Sequence, residues 1–487
     1  MESGGQGFMR PGAKPSLCGQ RFCAGEYWQP DPVFGPAAFL FAAQLPLHRA
    51  CCKAAQAMNT HSPLRGRHLV TAHPTLRARA KGWVFHKLLD RIDRGLEAGA
   101  IEVMLPDGTF RILGGGTPGP LAHLTINRWR ALGRVAVKGS VGWFDALEKE
   151  EWESPDAVPL FDLLMRNRAG LGTVTRATGP FRLLGWTRHL RRRNSLSGAK
   201  RNIIAHYDLG NDFYKSWLDR TMSYSSALFA EPLNGEETLE AAQKRKMSVL
   251  GKRLKLKPKS EVLEIGCGWG SFARICADKG HTVTAITLSP SQKLWAEKGM
   301  AARANPPLIK LCDYRDVTGT YDAIASVEMV EAVGQTYWPT YLDTINRCLK
   351  LGGRAAIQYI SIADDAFEAY SRSADFIQTY VFPGGMLISE SRFRALAEEK
   401  GFIWEEPAHF GLHYAETLRR WLIRFDDAVE GGKLPPGFDA RFIRLWRTYL
   451  MYCEGGFRSG GIDVTQVTLV KALGVKAPRT KAVAPRR

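Results

Sequence analysis

The sequence has few of the residues that build disulfide frameworks or metal sites. Its 487 residues include nine cysteines, an odd count, and no two of them have the Cys-x-x-Cys spacing of a metal or redox motif. The 11 histidines form no cluster with them. We therefore expect reduced thiols in a cytoplasmic protein, and no bound metal.

A long apolar segment is also missing, since no run reaches the ~18 residues that a membrane-spanning helix needs. Acidic residues are outnumbered, because 67 Lys and Arg face 48 Asp and Glu, and the formal charge is +19. A basic surface favours an anionic partner, and composition leaves both nucleic acid and anionic lipid headgroups open. The length fits two domains with tails.

Both ends of the chain differ from its middle. Residues 1–57 are rich in Gly, Pro, Ala and Cys. Their apolar stretch 33–47 resembles the core of a signal peptide, but it follows acidic residues and has no clean cleavage pattern. We expect residues 1–76 to be a disordered or non-native extension, with Met58 as an alternative start. The basic tail 473–487 is expected to be disordered.

Residues 77–168 have the pattern of a small α+β domain. Helical spacing covers 83–96, and Pro106-Asp107-Gly108 between two apolar runs is a hairpin signal. Further strands are predicted at 124–126 and 134–137. No acid pair or nucleophile motif occurs here, so we expect this domain to bind or position a substrate.

Residues 169–201 form a predicted linker with a basic cluster: Arg188, Arg191, Arg192, Arg193, Lys200 and Arg201. Such a run is either a solvated segment or a docking patch for lipid or nucleic acid. The larger region described next is predicted to cover residues 202–472.

The stretch EVLEIGCGWGSF, at 261–272, organises this larger region. The apolar run 262–265 predicts a buried strand, and a helical pattern begins at Ser271. Between them, Gly266, Gly268 and Gly270 allow a tight turn that comes close to a ligand. A strand, a glycine turn and a helix N-terminus together predict a site for part of a nucleotide-like ligand.

Four more strands are predicted at 282–287, 308–311, 321–327 and 354–360, alternating with helices. This alternation indicates an α/β fold with a parallel, doubly wound, Rossmann-like sheet. The GxGxG spacing, with Glu264 inside the first strand, favours S-adenosylmethionine (SAM) over NAD. The segment 206–229, rich in aromatic and polar residues, is predicted to be a lid over the pocket, although an amphipathic helix would also fit it.

A series of segments then resembles one family, in family order, over about residues 200–472. The segments are HYDLGNDFY at 206, MSYSSALF at 222, VLEIGCGWGS at 262, TLSPSQ at 287, DYRD at 313, SVEMVEAVG at 326, YVFPGG at 380, HFGLHYAETL at 409 and YLMYCEGGFRSGGIDVTQ at 449. They resemble the cyclopropane-fatty-acyl-phospholipid synthase family, which includes the mycolic acid cyclopropane synthases. The segment 77–168 is similar to the lipid-binding-type N-terminal domain of some members, through which the family often dimerises.

The resemblance implies a class I SAM-dependent methyltransferase that methylates the cis double bond of a phospholipid acyl chain. In the family the alkene attacks the methyl group of SAM, and loss of a proton from the new methyl to a bound bicarbonate closes a cyclopropane. Such a poor nucleophile must be held against the methyl group in a dry site. The implied substrate lies in membrane phospholipids, reached from the cytoplasmic face by a peripheral protein. No recognised RNA-binding module occurs, which disfavours nucleic acid.

The resemblance also assigns SAM contacts to a set of residues in the lid, the glycine turn and the ends of the next two strands. These residues are Tyr224, Ser225, Glu264, Gly266, Gly268, Gly270, Thr287, Gln292, Asp313 and Tyr314. Of these, Asp313 is the predicted partner of the adenine amino group.

The implied bicarbonate site is where the sequence departs from the family. The family's Glu and Tyr correspond to Glu331 and Tyr414, and its backbone contact corresponds to Ile360. Ser226 replaces the usual Cys, and Gln358 replaces the usual His. A hydroxyl and an amide can still donate to an oxyanion, but neither supplies the charge of an imidazolium.

We therefore expect cyclopropanation as the first product, with a methyl- or methylene-branched chain as the alternative. A catalytically silent lipid-binding homologue and a methyltransferase for a small hydrophobic metabolite are the other readings of the same residues.

Overall fold

A computed structural model describes residues 68–70, 76–172, 209–233 and 235–473. These residues belong to one compact unit that covers residues 63–487. The predictions for residues 1–67, for most of the linker with its basic cluster, and for the tail from residue 474 lie outside the described residues.

The N-terminal part contains a five-stranded sheet packed against helices. Its strands are β1 (His68–Val70), β2 (Ala100–Met104), β3 (Thr109–Gly114), β4 (Leu121–Ile126) and β5 (Trp152–Glu153). Its helices are α1 (Leu76–Gly95), α2 (Arg130–Lys138), α3 (Ser140–Leu147), α4 (Val158–Arg166) and the short α5 (Arg168–Leu171). The strand order is β1-β3-β2-β4-β5, with β2 and β4 parallel.

The hairpin prediction is confirmed. Strands β2 and β3 pair antiparallel, and Gly108 in the turn between them has a φ of 80°, a left-handed conformation that glycine adopts without steric cost.

The predicted strand at 134–137 is wrong, because these residues lie in helix α2. The buried side chains of this helix are those of Ala131, Leu132 and Val135. Their spacing is helical, and packing onto the sheet overrides the strand preference of the two valines in the segment.

The larger part contains a seven-stranded sheet. Its strands are β6 (Glu261–Ile265), β7 (Thr282–Thr287), β8 (Leu308–Leu311), β9 (Tyr321–Val327), β10 (Leu349–Ile362), β11 (Phe402–His409) and β12 (Ile462–Lys471). The order is β11-β12-β10-β9-β6-β7-β8, in which β10, β9, β6, β7 and β8 are parallel neighbours and β12 runs antiparallel to β10 and β11. The five predicted parallel strands are confirmed.

Helices flank this sheet and continue beyond it. They are α6 (Asn211–Trp217), α7 (Leu239–Arg253), α8 (Ser271–Asp278), α9 (Pro290–Met300), α10 (Val330–Val333), α11 (Trp338–Cys348), α12 (Asp364–Tyr370), α13 (Glu390–Glu399), α14 (Gly411–Glu430) and α15 (Ala440–Arg458). The spacing of apolar residues over 365–380 predicts one continuous helix, and this is only partly right, since α12 ends at Tyr370 and a π-helical turn, Ile377–Val381, follows.

The two parts pack tightly against each other. Gly455 on α15 lies so close to α4 that a Cβ at this position would stand 2.7 Å from the Cβ of Phe161. The Ser140 hydroxyl accepts a hydrogen bond from the Phe376 backbone at 3.0 Å, and the Tyr380 hydroxyl donates to Asp145 at 2.6 Å. The N-terminal part is therefore a wall of the larger one rather than a freely moving module.

Among the described helices, we find none long and apolar enough to cross a bilayer.

Candidate active site

The glycine turn between β6 and α8 has a left-handed backbone at each of its three glycines. The φ angles of Gly266, Gly268 and Gly270 are 79°, 53° and 85°. A Cβ at Gly266 would stand 2.5 Å from the Met329 sulfur, whereas a Cβ at Gly268 would meet no atom within 4 Å. The first glycine is thus needed for packing, and the second borders open space that a ligand can enter.

Two buried ionisable side chains lie behind this turn. Glu264 is 3% exposed, and its Oε2 has no hydrogen-bond partner among the described residues. Burial raises the pKa of Glu264 to about 8, and burial lowers the pKa of Lys246 to about 8. The Lys246 ammonium donates to the Ser225 hydroxyl at 2.5 Å. An unpartnered carboxyl oxygen beside the glycine turn fits a polar group of SAM.

The other predicted SAM contacts stand at the carboxyl ends of β7 and β8, where ligands bind in open α/β sheets. The Thr287 hydroxyl donates to Gln292 Oε1 at 2.8 Å, and both side chains are buried. Asp313 forms a two-point ion pair with Arg315, at 2.8 and 2.6 Å. An adenine amino group would therefore meet a carboxylate that is already paired.

Tyr314 is buried and packs edge-to-face against Tyr341, with ring centroids 5.8 Å apart. Its hydroxyl has no partner among the described residues, and burial raises its pKa to about 12. The side chain is therefore part of the core, and its predicted contact with SAM stays a prediction.

The described part of the predicted lid contains α6 and then irregular chain up to residue 229. The Trp269 ring nitrogen in the glycine turn donates to Asn211 Oδ1 at 2.8 Å, which ties the two segments together. The Tyr224 hydroxyl is hydrogen-bonded to the Tyr449 hydroxyl at 2.8 Å, and the Tyr224 ring packs on Trp421. Phe213 and Trp217 of α6 are fully buried, which fits the amphipathic helix, and the role of the segment as a lid over the pocket stays a prediction.

The residues assigned to the bicarbonate site converge on a side chain that the sequence analysis did not select, Glu328. Its Oε1 accepts from the Ser226 backbone N–H at 2.9 Å and from the Gln358 amide at 2.8 Å. Its Oε2 accepts from the Tyr414 hydroxyl at 2.7 Å. Burial raises the pKa of Glu328, while the nearby Lys246 charge and these hydrogen bonds oppose the shift.

Ser226 acts differently from expectation. Its hydroxyl donates to the Ala227 carbonyl at 2.9 Å, so the group that it offers to the carboxylate is its backbone N–H. Gln358 does donate through its amide, as expected, and its own amide oxygen accepts from Gln466 at 3.0 Å. A chain of amides thus fixes the orientation of Gln358.

Glu331, the predicted catalytic carboxylate, borders the same cavity. Neither of its oxygens has a hydrogen-bond partner among the described residues. Burial, and then the charge of Glu328, hold the pKa of Glu331 well above its usual range, and Ile360 borders the cavity beside it. Its catalytic role stays a prediction.

The signal for Glu328 was present in the sequence. The segment SVEMVEAVG contains two glutamates, and the resemblance to the family pointed to the second only. Spacing could not reveal that the first one sits where three donors meet.

A cavity of about 350 Å³ opens beside these carboxylates and is lined mainly by apolar atoms. The larger part contributes Tyr224, Glu328, Glu331, Ile360, Tyr370, Phe382, Tyr414 and Phe457, and the N-terminal part contributes Lys138, Trp143, Phe161, Leu164, Met165 and Arg168. Of the aromatic residues near the site, Trp269 and Tyr359 belong to the core instead.

The parallel sheet, the glycine turn and the buried acid behind it define a class I SAM-dependent methyltransferase. The fold matches that of a coclaurine N-methyltransferase with a TM-score of 0.52 over 67% of this chain and 98% of that one, at 21% identity.

The chain belongs to the mycolic acid cyclopropane synthetase family, whose model matches residues 194–467. It is 36% identical over 411 residues to the tuberculostearic acid methyltransferase of Mycobacterium tuberculosis, which covers 81% of this chain and 92% of that protein. It is 32% identical over 351 residues to the cyclopropane-fatty-acyl-phospholipid synthase of Escherichia coli, with 70% and 85% covered.

A crystal structure of a mycolic acid cyclopropane synthase bound to S-adenosylhomocysteine superposes with a TM-score of 0.51 and 28% identity, over 56% of this chain and 98% of that one. The protein is therefore a SAM-dependent methyltransferase of a family that acts on lipids. This confirms the predicted fold, cofactor and enzyme class.

Proposed function

We propose that the protein transfers a methyl group from SAM to the cis double bond of an unsaturated acyl chain in a phospholipid. The observation that carries the proposal is the mainly apolar cavity that Glu328, Tyr414 and Tyr224 border. An acyl chain can fill such a cavity, and a polar metabolite would leave its hydrogen-bonding groups unsatisfied there.

SAM supplies an electrophilic methyl group when it is bound. The chain's own residues would hold the alkene against it and exclude water, which a weak nucleophile requires. The faces of Tyr224, Phe382 and Phe457 can stabilise a carbocation without providing an atom that would trap it. All three side chains border the cavity.

The first candidate product is a cyclopropane ring, as named for the Escherichia coli relative. One observation favours the second candidate, a methyl- or methylene-branched chain. Gln358 and Ser226 provide no cationic donor to hold bicarbonate, and the donors of Ser226, Gln358 and Tyr414 are already bonded to Glu328, which makes the usual proton acceptor harder to bind. A cation that loses its proton slowly has time for a 1,2-hydride shift, which moves the positive charge onto the methyl-bearing carbon. Loss of a proton then gives a methylene group, whereas a saturated methyl branch needs a hydride from an external reductant.

We further propose that the protein reaches its substrate as a peripheral protein on an anionic membrane from the cytoplasmic side, and that it forms a homodimer. The charge of +19 supports attraction to anionic headgroups. Sedimentation with phosphatidylglycerol vesicles should exceed that with phosphatidylcholine vesicles and should fall as salt rises. Equal sedimentation with both would contradict the electrostatic docking.

The function is tested by expressing the protein in cells rich in monounsaturated phospholipids, with methyl-labelled methionine in the medium. We expect a labelled acyl species heavier by one CH₂ unit. Resistance to ozone cleavage would identify the ring, and a double bond still present would identify the methylene or methyl-alkene product. A labelled species that also gains two hydrogens would identify saturated branching. If no labelled lipid forms, the proposed function is wrong.

A further inference from the structure

Glu328 places a carboxylate of the chain itself where the donors of the predicted bicarbonate site meet. Oε1 accepts from Ser226 and Gln358, whereas Oε2 accepts from Tyr414, at 2.7 to 2.9 Å. These donors come from segments that lie 102, 30 and 86 residues away in the chain. Three donors from three separate segments of the chain point at one carboxylate. The fold therefore forms a site for an anion at this position.

The backbone of Glu328 is held in an unfavourable conformation. Its φ is 54°, in the left-handed region, and its N–H donates to the Gln358 carbonyl at 2.7 Å. This conformation is disfavoured for a residue with a Cβ, and such residues persist where the surroundings fix them for a function. Glycine would fit this position at no steric cost.

The carboxylate also faces the space that an acyl chain would occupy. Glu328 borders the apolar cavity together with Glu331 and Tyr414. Its Oε1 already accepts two hydrogen bonds and its Oε2 accepts one, so a lone pair on Oε2 remains to take a proton. Burial raises the pKa of Glu328, which makes it a stronger base, while the charge of the buried Lys246 opposes this shift and favours the ionised carboxylate.

We propose that Glu328 is the catalytic base and takes the place of bicarbonate, so that the protein works without a bound anion. This inference rests on the proposed function. The alkene electrons form the bond to the methyl carbon, the C–S bond breaks to release S-adenosylhomocysteine, and the chain becomes a carbocation. A C–H bond of the new methyl then breaks. Its electrons close the ring, or form a methylene group after a hydride shift, and the proton goes to Glu328.

The first experiment compares the wild-type protein with Glu328→Gln in CO₂-depleted buffer, with and without added bicarbonate. We expect the same lipid methylation rate for the wild type in both buffers. Glu328→Gln keeps the shape and lacks the base, so it should lose about 100-fold or more in rate. SAM affinity measured by calorimetry should be unchanged, which shows that the variant is folded.

Glu331→Gln is the comparison within the same cavity. If Glu331→Gln abolishes methylation and Glu328→Gln does not, Glu331 is the base and the inference is overturned. A wild-type rate that depends on bicarbonate overturns it as well. Labelled lipid from the wild type is the reference, so its absence refutes the proposed function, whereas an active Glu328→Gln refutes only the base.

Glu328→Gly provides a second measurement that does not depend on turnover. Removing the side chain leaves the donors of Ser226, Gln358 and Tyr414 without an acceptor, so bicarbonate or formate should bind there. Added bicarbonate should then raise the melting temperature of Glu328→Gly, because a ligand stabilises the state that binds it, and should not raise that of the wild type.

The matched control is Glu406→Gly. Glu406 has the same conformation, with a φ of 53°, but it is exposed on β11 and does not border the cavity. Glu406→Gly removes the same steric cost of a left-handed backbone, and its melting temperature should not respond to bicarbonate. If Glu328→Gly also shows no anion-dependent shift, the assignment of an anion position to the Glu328 carboxylate is wrong.

Discussion

At the scale of single residues, the buried acid behind the glycine turn makes stability depend on pH. Burial raises the pKa of Glu264 from 4.5 to about 8. Between these values the folded protein holds a proton that the unfolded chain releases. The contribution of Glu264 to stability is therefore present below pH 4.5 and is lost as the pH rises toward 8.

Glu264→Gln should flatten this dependence. We expect the free energy of unfolding of the SAM-free wild type to fall more steeply between pH 5 and 8 than that of the variant, as measured by urea denaturation. Identical slopes for the two proteins would show that Glu264 is ionised in the folded state.

The hydroxyl of Tyr414 tunes Glu328, because a donor to a carboxylate lowers its pKa. Tyr414→Phe removes this donor, so the pKa of Glu328 should rise and the acid limb of the kcat/KM profile should move to higher pH. Tyr449→Phe is the control, since the Tyr449 hydroxyl contacts Tyr224 and not Glu328. A limb that moves equally in both variants would exclude Glu328 as the titrating base.

At the scale of elements, two glycines of the same turn have different roles: Gly266 is needed for packing, and Gly268 borders the space that a ligand can enter. Gly266→Ala and Gly268→Ala both place a Cβ on a left-handed backbone, at a cost of roughly 1–2 kcal/mol. Only the first also meets Met329, at 2.5 Å. Gly266→Ala should therefore lower the free energy of unfolding more than Gly268→Ala does, by denaturant titration. Equal losses would mean that the Met329 side chain moves aside freely.

The elements that the sequence predicted well are those whose signals are local. Short apolar runs identified β6 to β9, and three of these runs, those of β6, β8 and β9, are followed closely by a glycine or an acid. The strand prediction for 134–137 was wrong because its two valines favour a strand when they are considered alone. Ala131 and Leu132, just before them, are buried with Val135 at helical spacing. Similarly, nothing local marks the end of α12 at Tyr370.

In the candidate site, too, residues with a local sequence signal could be predicted and residues without one could not. Ser226, Gln358 and Tyr414 could be named from motifs, but their common partner could not. The importance of Glu328 depends on a left-handed φ and on donors from three distant segments. These properties exist only after the chain has folded. A sequence motif records which residue occupies each position and carries no information about which distant residues will meet.

At the scale of the whole molecule, the N-terminal part closes the cavity of the methyltransferase part. Phe144 is 1% exposed and packs on Phe376 and Tyr380, with ring centroids 5.3 and 5.0 Å away. Phe144→Ala should destabilise the protein by about 3–5 kcal/mol and should reduce lipid methylation under conditions where the variant remains folded, without lowering SAM affinity.

Phe393→Ala is the matched control for this prediction. Phe393 is equally buried, but it packs on Tyr359 and Trp404 away from the cavity. Denaturation should give a similar loss of stability, and lipid methylation by the folded variant should be retained. If both variants lose methylation to the same extent, the N-terminal wall has no specific part in binding the acyl chain.

The apolar lining of the cavity determines what the enzyme can gain by capturing its substrate. A chain taken from water would gain about 0.8 kcal/mol for each CH₂ that it buries. A chain taken from a bilayer leaves one apolar phase for another and gains almost nothing from that transfer. The cavity would therefore compete with the bilayer for the acyl chain, because both surround it with apolar groups. Its saturation should follow the mole fraction of unsaturated lipid in the surface, and bulk lipid concentration should matter little.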